Sequence, residues 1–307
     1  IAKSTGLATM LLADCFEKLD PDVVLLLGDR FETHAAATTA MLMSIPIAHI
    51  HGGEITEGAV DEQIRHSITK MSYLHFCSTE LYCKRIIQMG EDPSRVFNSG
   101  APGIDNIVNL DLLSKDKLEE NLDWKFSSKS ALFTYHPVTL GKNDIPRDLK
   151  VILNVLIKTN INVLFTYANA DNGGRFINQK IEEFCRLDPI KYKAVKSLGQ
   201  LKYLSAMKHT DLLIGNTSSG IIEAASFGKP VVNIGDRQKG RLKGNNVIDC
   251  NLDTLESSIN LAISGDFKEI SQNTHNIYGV GIASDIILNE LVEQEVFVTK
   301  KFIDSIP

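Results

Sequence analysis

The sequence lacks both an excess of positive charge and any long hydrophobic run. Its 307 residues carry 32 Lys and Arg against 38 Asp and Glu, which gives a formal net charge of −6. Binding of nucleic acid by phosphate neutralisation needs a cationic surface, so that class of function is disfavoured. No apolar segment approaches the roughly 20 residues of a membrane-spanning helix, and we therefore expect a soluble protein. A few local cations or helix N-termini can still hold a small anionic ligand.

Cysteine is scarce and irregularly placed. We find no CxxC pair and no Cys/His ladder with zinc spacing among the five cysteines, which are Cys15, Cys77, Cys83, Cys185 and Cys250. We expect reduced, mostly buried thiols in a cytoplasmic protein without a metal site. The chain begins at Ile1, and residues 1–5 lack the charged and apolar regions of a secretion signal. This start indicates a cut rather than a processed chain.

Short apolar runs alternate with longer stretches of helical period along most of the chain. Such alternation is typical of βαβ units and a parallel sheet. One series fills residues 1–113 and a second fills residues 114–282, with the polar stretch 114–129 as the boundary region. The pattern predicts an α/β protein of two Rossmann-like domains that face a cleft. A last helical segment within residues 283–307 is expected to pack back on the first domain.

Carboxylates follow two predicted strands of the first domain. Asp29 comes directly after the apolar run 23–27, and Glu54 follows the next strand and a glycine pair. Open α/β sheets bind ligands at the carboxyl ends of their strands, so both side chains are placed for chemistry. Asp61 lies in the first turn of the next predicted helix. Taken singly, Asp29 could be a helix cap and Asp61 a salt-bridge partner of Arg65, but three converging carboxylates favour catalysis.

Residues 215–223 join a predicted strand to a helix and are rich in small hydroxyl side chains. The backbone N–H groups and the dipole at such a helix start suit a diphosphate, which Ser218, Ser219 and Gly220 would approach. Glu223 lies one turn into the helix, where it can accept hydrogen bonds from ribose hydroxyls. The structural alternative is an ordinary serine N-cap followed by a solvated glutamate.

Two further features add cations or titratable groups to the second domain. The loop 236–244 carries four cations, including Arg237, in a chain that is acidic overall. Because this loop is expected to lie beside a helix N-terminus, we favour a role in contacting an anion or the edge of a base over simple exposure to solvent. His136 ends the first predicted strand of this domain. It is either a structural histidine or a group that faces a departing phosphate.

Five motifs occur in order along the chain. They are GDR, HGGE, DEQIRHSITK, YHP and GNTSSG, and they begin at Gly28, His51, Asp61, Tyr135 and Gly215. Together they resemble the UDP-N-acetylglucosamine 2-epimerase family, and most closely its hydrolysing branch. The resemblance covers nearly the whole chain and implies a glycosyltransferase-B type of architecture and a homodimer or homotetramer.

One feature of the family has no counterpart in this sequence. The family begins with a strand and a glycine-containing loop, whose arginine helps to hold the diphosphate. No such segment precedes residue 1 of the sequence given. The first domain is therefore expected to lack its opening elements.

The resemblance also implies a reaction, in which UDP-N-acetylglucosamine and water give N-acetylmannosamine and UDP on the route to sialic acids. Since the C2 hydrogen of a pyranose is not acidic, the anomeric C–O bond must break before a carboxylate removes that proton. Hydration of the resulting glycal then inverts C2. We expect His136 and Arg237 to stabilise departing UDP, Glu54 to act in the elimination, and Asp29 with Asp61 to act in the hydration. No metal or organic cofactor is required.

The residues expected to bind UDP are Ser218, Ser219, Gly220, Glu223, Arg237, Arg30 and Arg65. Three other functions stay open. One is a hydrolysing 2-epimerase for a UDP-linked 2,4-diacetamido-6-deoxy sugar of the legionaminic acid route. Another is a glycosyltransferase of the same architecture, which would need an acceptor pocket instead of clustered carboxylates. The last is a nucleotide-sugar-binding module without turnover.

Overall fold

The computed structural model describes residues 1–57, 60–137, 144–169 and 173–304. Its strands are β1 (Val24–Leu27), β2 (Ile47–Ile50), β3 (Leu74–Cys77), β4 (Val96–Asn98), β5 (Ser130–Thr134), β6 (Asn162–Thr166), β7 (Tyr192–Val195), β8 (Leu212–Gly215), β9 (Val231–Ile234) and β10 (Val247–Cys250). Its helices are α1 (Ala2–Leu19), α2 (Phe31–Leu42), α3 (Asp61–Met71), α4 (Glu80–Gln88), α5 (Pro102–Asn109), α6 (Lys115–Leu122), α7 (Ile145–Thr159), α8 (Gly174–Cys185), α9 (Gly199–His209), α10 (Ser218–Ile222), α11 (Leu255–Ala262), α12 (Gly265–Gln272) and α13 (Ala283–Glu293).

The chain forms two compact units. Unit 1 consists of Ile1–Thr56, Val60–Asp105 and the residues from Tyr278 onward, and unit 2 consists of Asn106–Ile277 together with Glu57. The sequence predicts the crossings at 113/114 and 282/283, whereas the chain crosses inside α5 and again before α13. Residues 305–307 of the predicted C-terminal segment lie outside the described residues.

Unit 1 is built on a four-stranded sheet in the order β1-β2-β3-β4, with every neighbouring pair parallel. Residues of β2 and β3 that face α13 form one core cluster with Ile287 of that helix. The start of α13 is tied to α5, because the Asp105 carboxylate accepts the backbone N–H groups of Ala283 at 2.9 Å and Ser284 at 2.6 Å. The C-terminal helix is therefore part of the core of unit 1.

Unit 2 contains a parallel six-stranded sheet in the order β7-β6-β5-β8-β9-β10. In chain order this is the 3-2-1-4-5-6 arrangement of a dinucleotide-binding Rossmann sheet. Side chains alternate between two helix-covered cores, so that Ala131 and Phe133 pack on one face and Leu132 on the other. The strand order reverses between β5 and β8, and open sheets of this kind bind ligands at that point. The predicted α/β class with two Rossmann-like units is confirmed.

Two helices were not predicted from the sequence: α5, just before the predicted boundary region 114–129, and α6 within it. Because α5 starts with Pro102-Gly103, its first turn resembles a loop in sequence. Helix α6 has only two buried side chains, Leu118 and Leu122, so its apolar period is weak. These leucines nevertheless pack with Trp124 and Phe126 in a core cluster of unit 2. These four side chains of the predicted boundary region therefore belong to the core of unit 2.

The residues after α13 are held on unit 1 by a buried carboxylate. The Nζ atom of Lys300 donates to the Ser72 carbonyl oxygen and to Glu91, in both cases at 2.7 Å. Glu91 also accepts from Lys70 at 2.5 Å and from His75 at 3.2 Å. Burial alone would raise the pKa of Glu91, but the hydrogen bonds from His75, Lys300 and Lys70 outweigh it and lower the pKa to about 2.

Replacing Lys300 by methionine is expected to lower the free energy of unfolding at pH 7 by about 1.5–3 kcal/mol, the value of a hydrogen bond to a charged group. Since the pKa of Glu91 falls from its ordinary 4.5 to about 2 on folding, the carboxylate stabilises the fold fully above about pH 4.5 and loses this effect as the pH falls toward 2. The difference between parent and variant in urea unfolding should therefore shrink at about pH 3. The control is the exposed neighbour Lys301→Met, and equal losses at the two positions would contradict the assignment.

Among the helices of the described residues, none has the length and the apolar character that crossing a membrane requires.

Candidate active site

Asp29 lies in the turn that follows β1, at the carboxyl end of the sheet of unit 1. Gly28 adopts φ +83°, a conformation that favours glycine, and its carbonyl oxygen accepts a hydrogen bond from His49 Nε2 at 2.8 Å. Burial lowers the pKa of His49 to about 3, so the ring is neutral at pH 7. Its Nε2 carries the proton and its Nδ1 faces the Thr69 hydroxyl at 3.3 Å. This neutral histidine fixes the turn that presents Asp29.

Arg65 of α3 is the central cation of this site and is fully buried. One guanidinium nitrogen donates to the Asp29 carboxylate and to the Thr56 hydroxyl. The other donates to the Glu54 carbonyl oxygen at 2.9 Å and to the Glu62 carboxylate at 3.0 Å. A single arginine thus joins the turn after β1, the loop after β2 and the first turn of α3.

Glu62, rather than its neighbour Asp61, is the carboxylate of α3 that Arg65 holds. Glu62 Oε2 also accepts the backbone N–H of Thr56 at 2.5 Å, and Oε1 accepts from His66 Nε2 at 3.0 Å. Asp61 is the first residue of α3, four positions before Arg65. Arg65 pairs with Glu62 at i,i+3, whereas the structural alternative considered from the sequence was an i,i+4 pair with Asp61.

Glu54 is placed beneath the surface, behind His51. One oxygen of its carboxylate, Oε1, accepts the Ser78 hydroxyl at 2.9 Å and lies 2.6 Å from His51 Nδ1. His51 adopts φ +68°, which is uncommon for a residue with a side chain. The next two residues are glycines because the backbone lies against α4, where a Cβ on Gly53 would collide with the Tyr82 carbonyl oxygen. The HGGE motif therefore builds an imidazole–carboxylate pair.

The site of unit 1 has an outer and an inner layer. The outer side chains are partly exposed, with 23% for Asp29, 22% for Glu62 and 18% for His51. The inner ones are buried, with 2% for Glu54 and 1% for Arg65. Only the outer layer can meet a ligand without rearrangement.

In unit 2, His136 and Asn216 meet at the point where the strand order reverses. The His136 N–H donates to Asn216 Oδ1 at 2.7 Å, and Asn216 Nδ2 donates to the His136 carbonyl oxygen at 2.8 Å. Asn216 is completely buried. Just before it, Gly215 runs so close to Thr134 of β5 that a Cβ would overlap the Thr134 carbonyl oxygen. These contacts lock the ends of β5 and β8 together.

The ring of His136 has a defined tautomer. Its Nδ1 accepts the backbone N–H of Asn169 at 3.1 Å. The neutral ring therefore carries its proton on Nε2 and presents that N–H as a donor. A donor at a strand end of the switch point is suited to a developing phosphate anion.

The basic loop that follows β9 also contacts Asn216. Arg237 donates to the Asn216 carbonyl oxygen at 3.1 Å, and Gln238 donates to it at 2.9 Å. The guanidinium of Arg237 thus lies next to the residue that pairs with His136. Asn216 and Gln238 were not predicted as site residues, although the position of Asn216 directly after a predicted strand is a signal for it.

Helix α10 is only five residues long, and Glu223, which was expected one turn into the helix, is its C-cap residue. The Thr217 hydroxyl, and not a serine, caps it by accepting the Ser219 N–H at 3.4 Å. The Ser219 hydroxyl donates to the Glu223 carboxylate, which links the two predicted ligands of the nucleotide. Gly220 is buried, and a Cβ there would lie 3.1 Å from Val231 Cγ1, so this glycine lets the helix pack on β9.

A cavity of about 340 Å³ opens beyond β6 and β7, next to Tyr203. Burial raises the pKa of Tyr203 to about 12, and the neighbouring Ser219 and Thr134 hydroxyls act on that pKa in the opposite direction. The other polar lining residues are Thr166, Tyr167, Lys196, Ser197 and Gln200. Tyr203 thus lies between the cavity and Ser219.

The structure brings most predicted site residues into two clusters, one in each unit. Arg30 differs, because it is the N-cap of α2 and its side chain is 47% exposed beside Glu32 and Phe31. Ser218 is the first residue of α10. The residues that sequence analysis did not select for the site of unit 1 are His51, Glu62, Thr56 and Ser78.

Two Rossmann-like α/β units with charged, imidazole and hydroxyl side chains at their strand ends define a protein of the glycosyltransferase-B type of architecture. The UDP-N-acetylglucosamine 2-epimerase family model matches residues 1–292. The chain belongs to this family, as the motifs predict.

Two named relatives and one crystal structure show which proteins the chain is similar to. The chain is 44% identical over 270 residues to a GDP/UDP-N,N'-diacetylbacillosamine 2-epimerase (hydrolyzing) of Campylobacter jejuni, covering 88% of this chain and 70% of the relative. It is 36% identical over 285 residues to a UDP-N,N'-diacetylbacillosamine 2-epimerase (hydrolyzing) of Legionella pneumophila, covering 93% and 74%. The crystal structure of a Neisseria meningitidis UDP-GlcNAc 2-epimerase bound to UDP-GlcNAc shares the fold, with a TM-score of 0.81 at 20% identity over 94% of this chain and 81% of that one.

Proposed function

We propose that the protein is a hydrolysing 2-epimerase that cleaves a UDP-linked 2,4-diacetamido-6-deoxy sugar to UDP and the C2-inverted free sugar. The observation that carries the substrate is the similarity to the Campylobacter and Legionella proteins, both of which are named for N,N'-diacetylbacillosamine. This substrate corresponds to the first alternative of the sequence analysis. UDP-N-acetylglucosamine, the main expectation there, becomes the competing substrate in the test.

UDP is assigned to unit 2. The Nε2–H of His136 and the guanidinium of Arg237 are the donors for the diphosphate, because both are anchored at Asn216 beside the switch point. Ser218, Ser219 and Gly220 are assigned to the same phosphates. The Glu223 carboxylate, already an acceptor for the Ser219 hydroxyl, is suited to accept from ribose hydroxyls. The cavity beside Tyr203 is assigned to the nucleoside base.

The chemistry at C1 and C2 is assigned to unit 1. Departure of UDP from C1 and loss of the C2 proton give a glycal, and addition of water across C1 and C2 completes the reaction with inversion. Inversion removes the C2 proton from one face of the sugar and adds a proton from the other face, so two separate proton-transfer groups are required. Asp29 is one of them, and we assign the partner carboxylate on α3 to Glu62 instead of Asp61, because Glu62 shares Arg65 with Asp29.

The two basic side chains predicted to bind UDP from unit 1 receive different roles. Arg65 is fully buried and its nitrogens donate to four protein groups, so we assign it to holding the carboxylates in place. Arg30 is exposed and can still reach an anionic ligand. Neither assignment requires a metal ion.

The substrate is tested by product analysis with three nucleotide sugars: UDP-N,N'-diacetylbacillosamine, its GDP counterpart and UDP-N-acetylglucosamine. Protein groups that bind the C4 acetamido group would have no partner when the sugar carries a C4 hydroxyl instead. We therefore expect kcat/KM to be at least about 100-fold higher for the diacetamido UDP sugar. Mass spectrometry and NMR of the released sugar provide the readout. Equal or better use of UDP-N-acetylglucosamine would overturn the substrate and favour N-acetylmannosamine as the product.

A further inference from the structure

His51 is placed unlike a structural histidine. It follows β2 directly, at the strand end where parallel sheets present functional groups, and it has a left-handed backbone conformation. Other non-glycine residues with positive φ, such as Asp20, Asp123 and Asn160, end helices, where that conformation is common. His51 ends no helix. Backbone strain of this kind is retained where the surroundings enforce it, and such positions cluster at functional sites.

The hydrogen bond to Glu54 determines which ring nitrogen of His51 can act. Nδ1 lies 2.6 Å from Glu54 Oε1, and a carboxylate oxygen can only accept, so Nδ1 carries the proton of the neutral ring. The lone pair is then on Nε2. Within the described residues, no hydrogen bond from a protein group is recorded to this Nε2, and 18% of the side chain is exposed. The nitrogen that can accept a proton is therefore Nε2.

Glu54 cannot easily take a substrate proton itself. Its side chain is 2% exposed, and its Oε1 is occupied by Ser78 and His51. Two arginines hold the loop of this pair: Arg65 from α3 donates to the Glu54 carbonyl oxygen, and Arg85 from α4 donates to the Gly53 carbonyl oxygen at 3.3 Å. These contacts fix the loop and the orientation of the carboxylate.

We infer that His51 is the base that removes the C2 proton in the elimination, with Glu54 as its positioning residue, an inference that rests on the proposed function. The C2–H bond breaks, its electron pair forms the C1–C2 double bond, and UDP leaves with the electron pair of the C1–O bond. The proton moves to His51 Nε2, and the Glu54 carboxylate balances the imidazolium charge. The sequence prediction gave this step to Glu54 itself.

The test uses the whole chain and begins with His51→Asn, because asparagine tolerates the left-handed backbone at this position. Turnover should fall by at least about 100-fold, as the loss of a general base typically does. The exchange of the C2 hydrogen in D₂O should disappear with turnover. UDP affinity measured by calorimetry should stay within threefold of the parent, since unit 2 is assigned to the nucleotide. The control is His209→Asn in α9, whose ring bonds the Leu113 carbonyl oxygen away from the assigned groups, and it should keep its turnover.

Glu54→Gln separates positioning from folding. Glutamine keeps the shape and can still accept the Nδ1 proton of His51, but it lacks the negative charge that balances the imidazolium, so kcat should fall to a value between those of the parent and His51→Asn while KM stays unchanged. A purely structural Glu54 would lower thermal stability and leave the kcat of the folded protein unchanged. Turnover of His51→Asn within threefold of the parent, or an unchanged kcat in Glu54→Gln, would overturn the inference while the proposed function stands. A parent protein that turns over no nucleotide sugar overturns both.

Discussion

Replacing Arg65 by methionine is expected to lower the free energy of unfolding by about 3–5 kcal/mol, because the change removes the buried cation of an ion-pair network and leaves its partners unpaired. The guanidinium holds the Asp29 and Glu62 carboxylates and also bonds Thr56 and the Glu54 carbonyl oxygen. Turnover should fall with stability, since the same bonds set the positions of the outer carboxylates. Equilibrium urea unfolding followed by circular dichroism gives the first quantity, and a UDP-release assay gives the second.

The matched control is Arg30→Met in the same unit. Arg30 is half exposed and its ion pair with Glu32 has an N–O distance of 3.5 Å. Exposed pairs of this kind contribute about 0–1 kcal/mol, so the control should unfold almost as the parent does. A loss below about 1 kcal/mol for Arg65→Met as well would mean that the network does not depend on its central cation.

Replacing His136 by asparagine is expected to lower kcat by about 100- to 1,000-fold, the cost of removing one preorganised donor to a developing anion. Asparagine can still accept the Asn169 N–H, which His136 Nδ1 accepts at 3.1 Å, so the local backbone should remain in place. The donor that Nε2–H provides is lost. Steady-state kinetics with the UDP sugar, with thermal unfolding measured in parallel, separates a catalytic effect from a folding defect.

For His136, the control is again His209→Asn, which changes the same residue type in the same unit. A kcat of His136→Asn within a factor of three of the parent would make His136 a structural residue. In that case its role would be to join β5 to β8 through the paired hydrogen bonds with Asn216.

The strand ends of the site were predictable from the sequence. Asp29 and His136 follow short apolar runs, and parallel sheets present such residues at their carboxyl edge. This prediction required only the spacing of the apolar residues and the order of the predicted strands and helices. The same reasoning could not find α5, because Pro102-Gly103 resembles a turn, although both residues belong to the first helical turn.

Side-chain direction was not predictable. Adjacent residues of a helix point about 100° apart, so whether Asp61 or Glu62 meets Arg65 depends on how α3 packs. The inferred role of His51 as the base, instead of Glu54, depends on a left-handed backbone at this histidine. Local propensity disfavours that conformation. The burial of Arg65 depends on carboxylates from distant segments, and hydropathy alone would place an arginine at the surface. The homodimer or homotetramer implied by the family resemblance stays a prediction.

The central claim is that the enzyme breaks and remakes the C2–H bond of the sugar. Its most direct test is turnover of UDP-N,N'-diacetylbacillosamine by the full chain in D₂O, with the released sugar analysed by NMR and mass spectrometry. The elimination and hydration steps predict one deuterium at C2 of the inverted sugar, because the proton added there comes from solvent. A released sugar that keeps its original hydrogen and configuration at C2 would contradict the account.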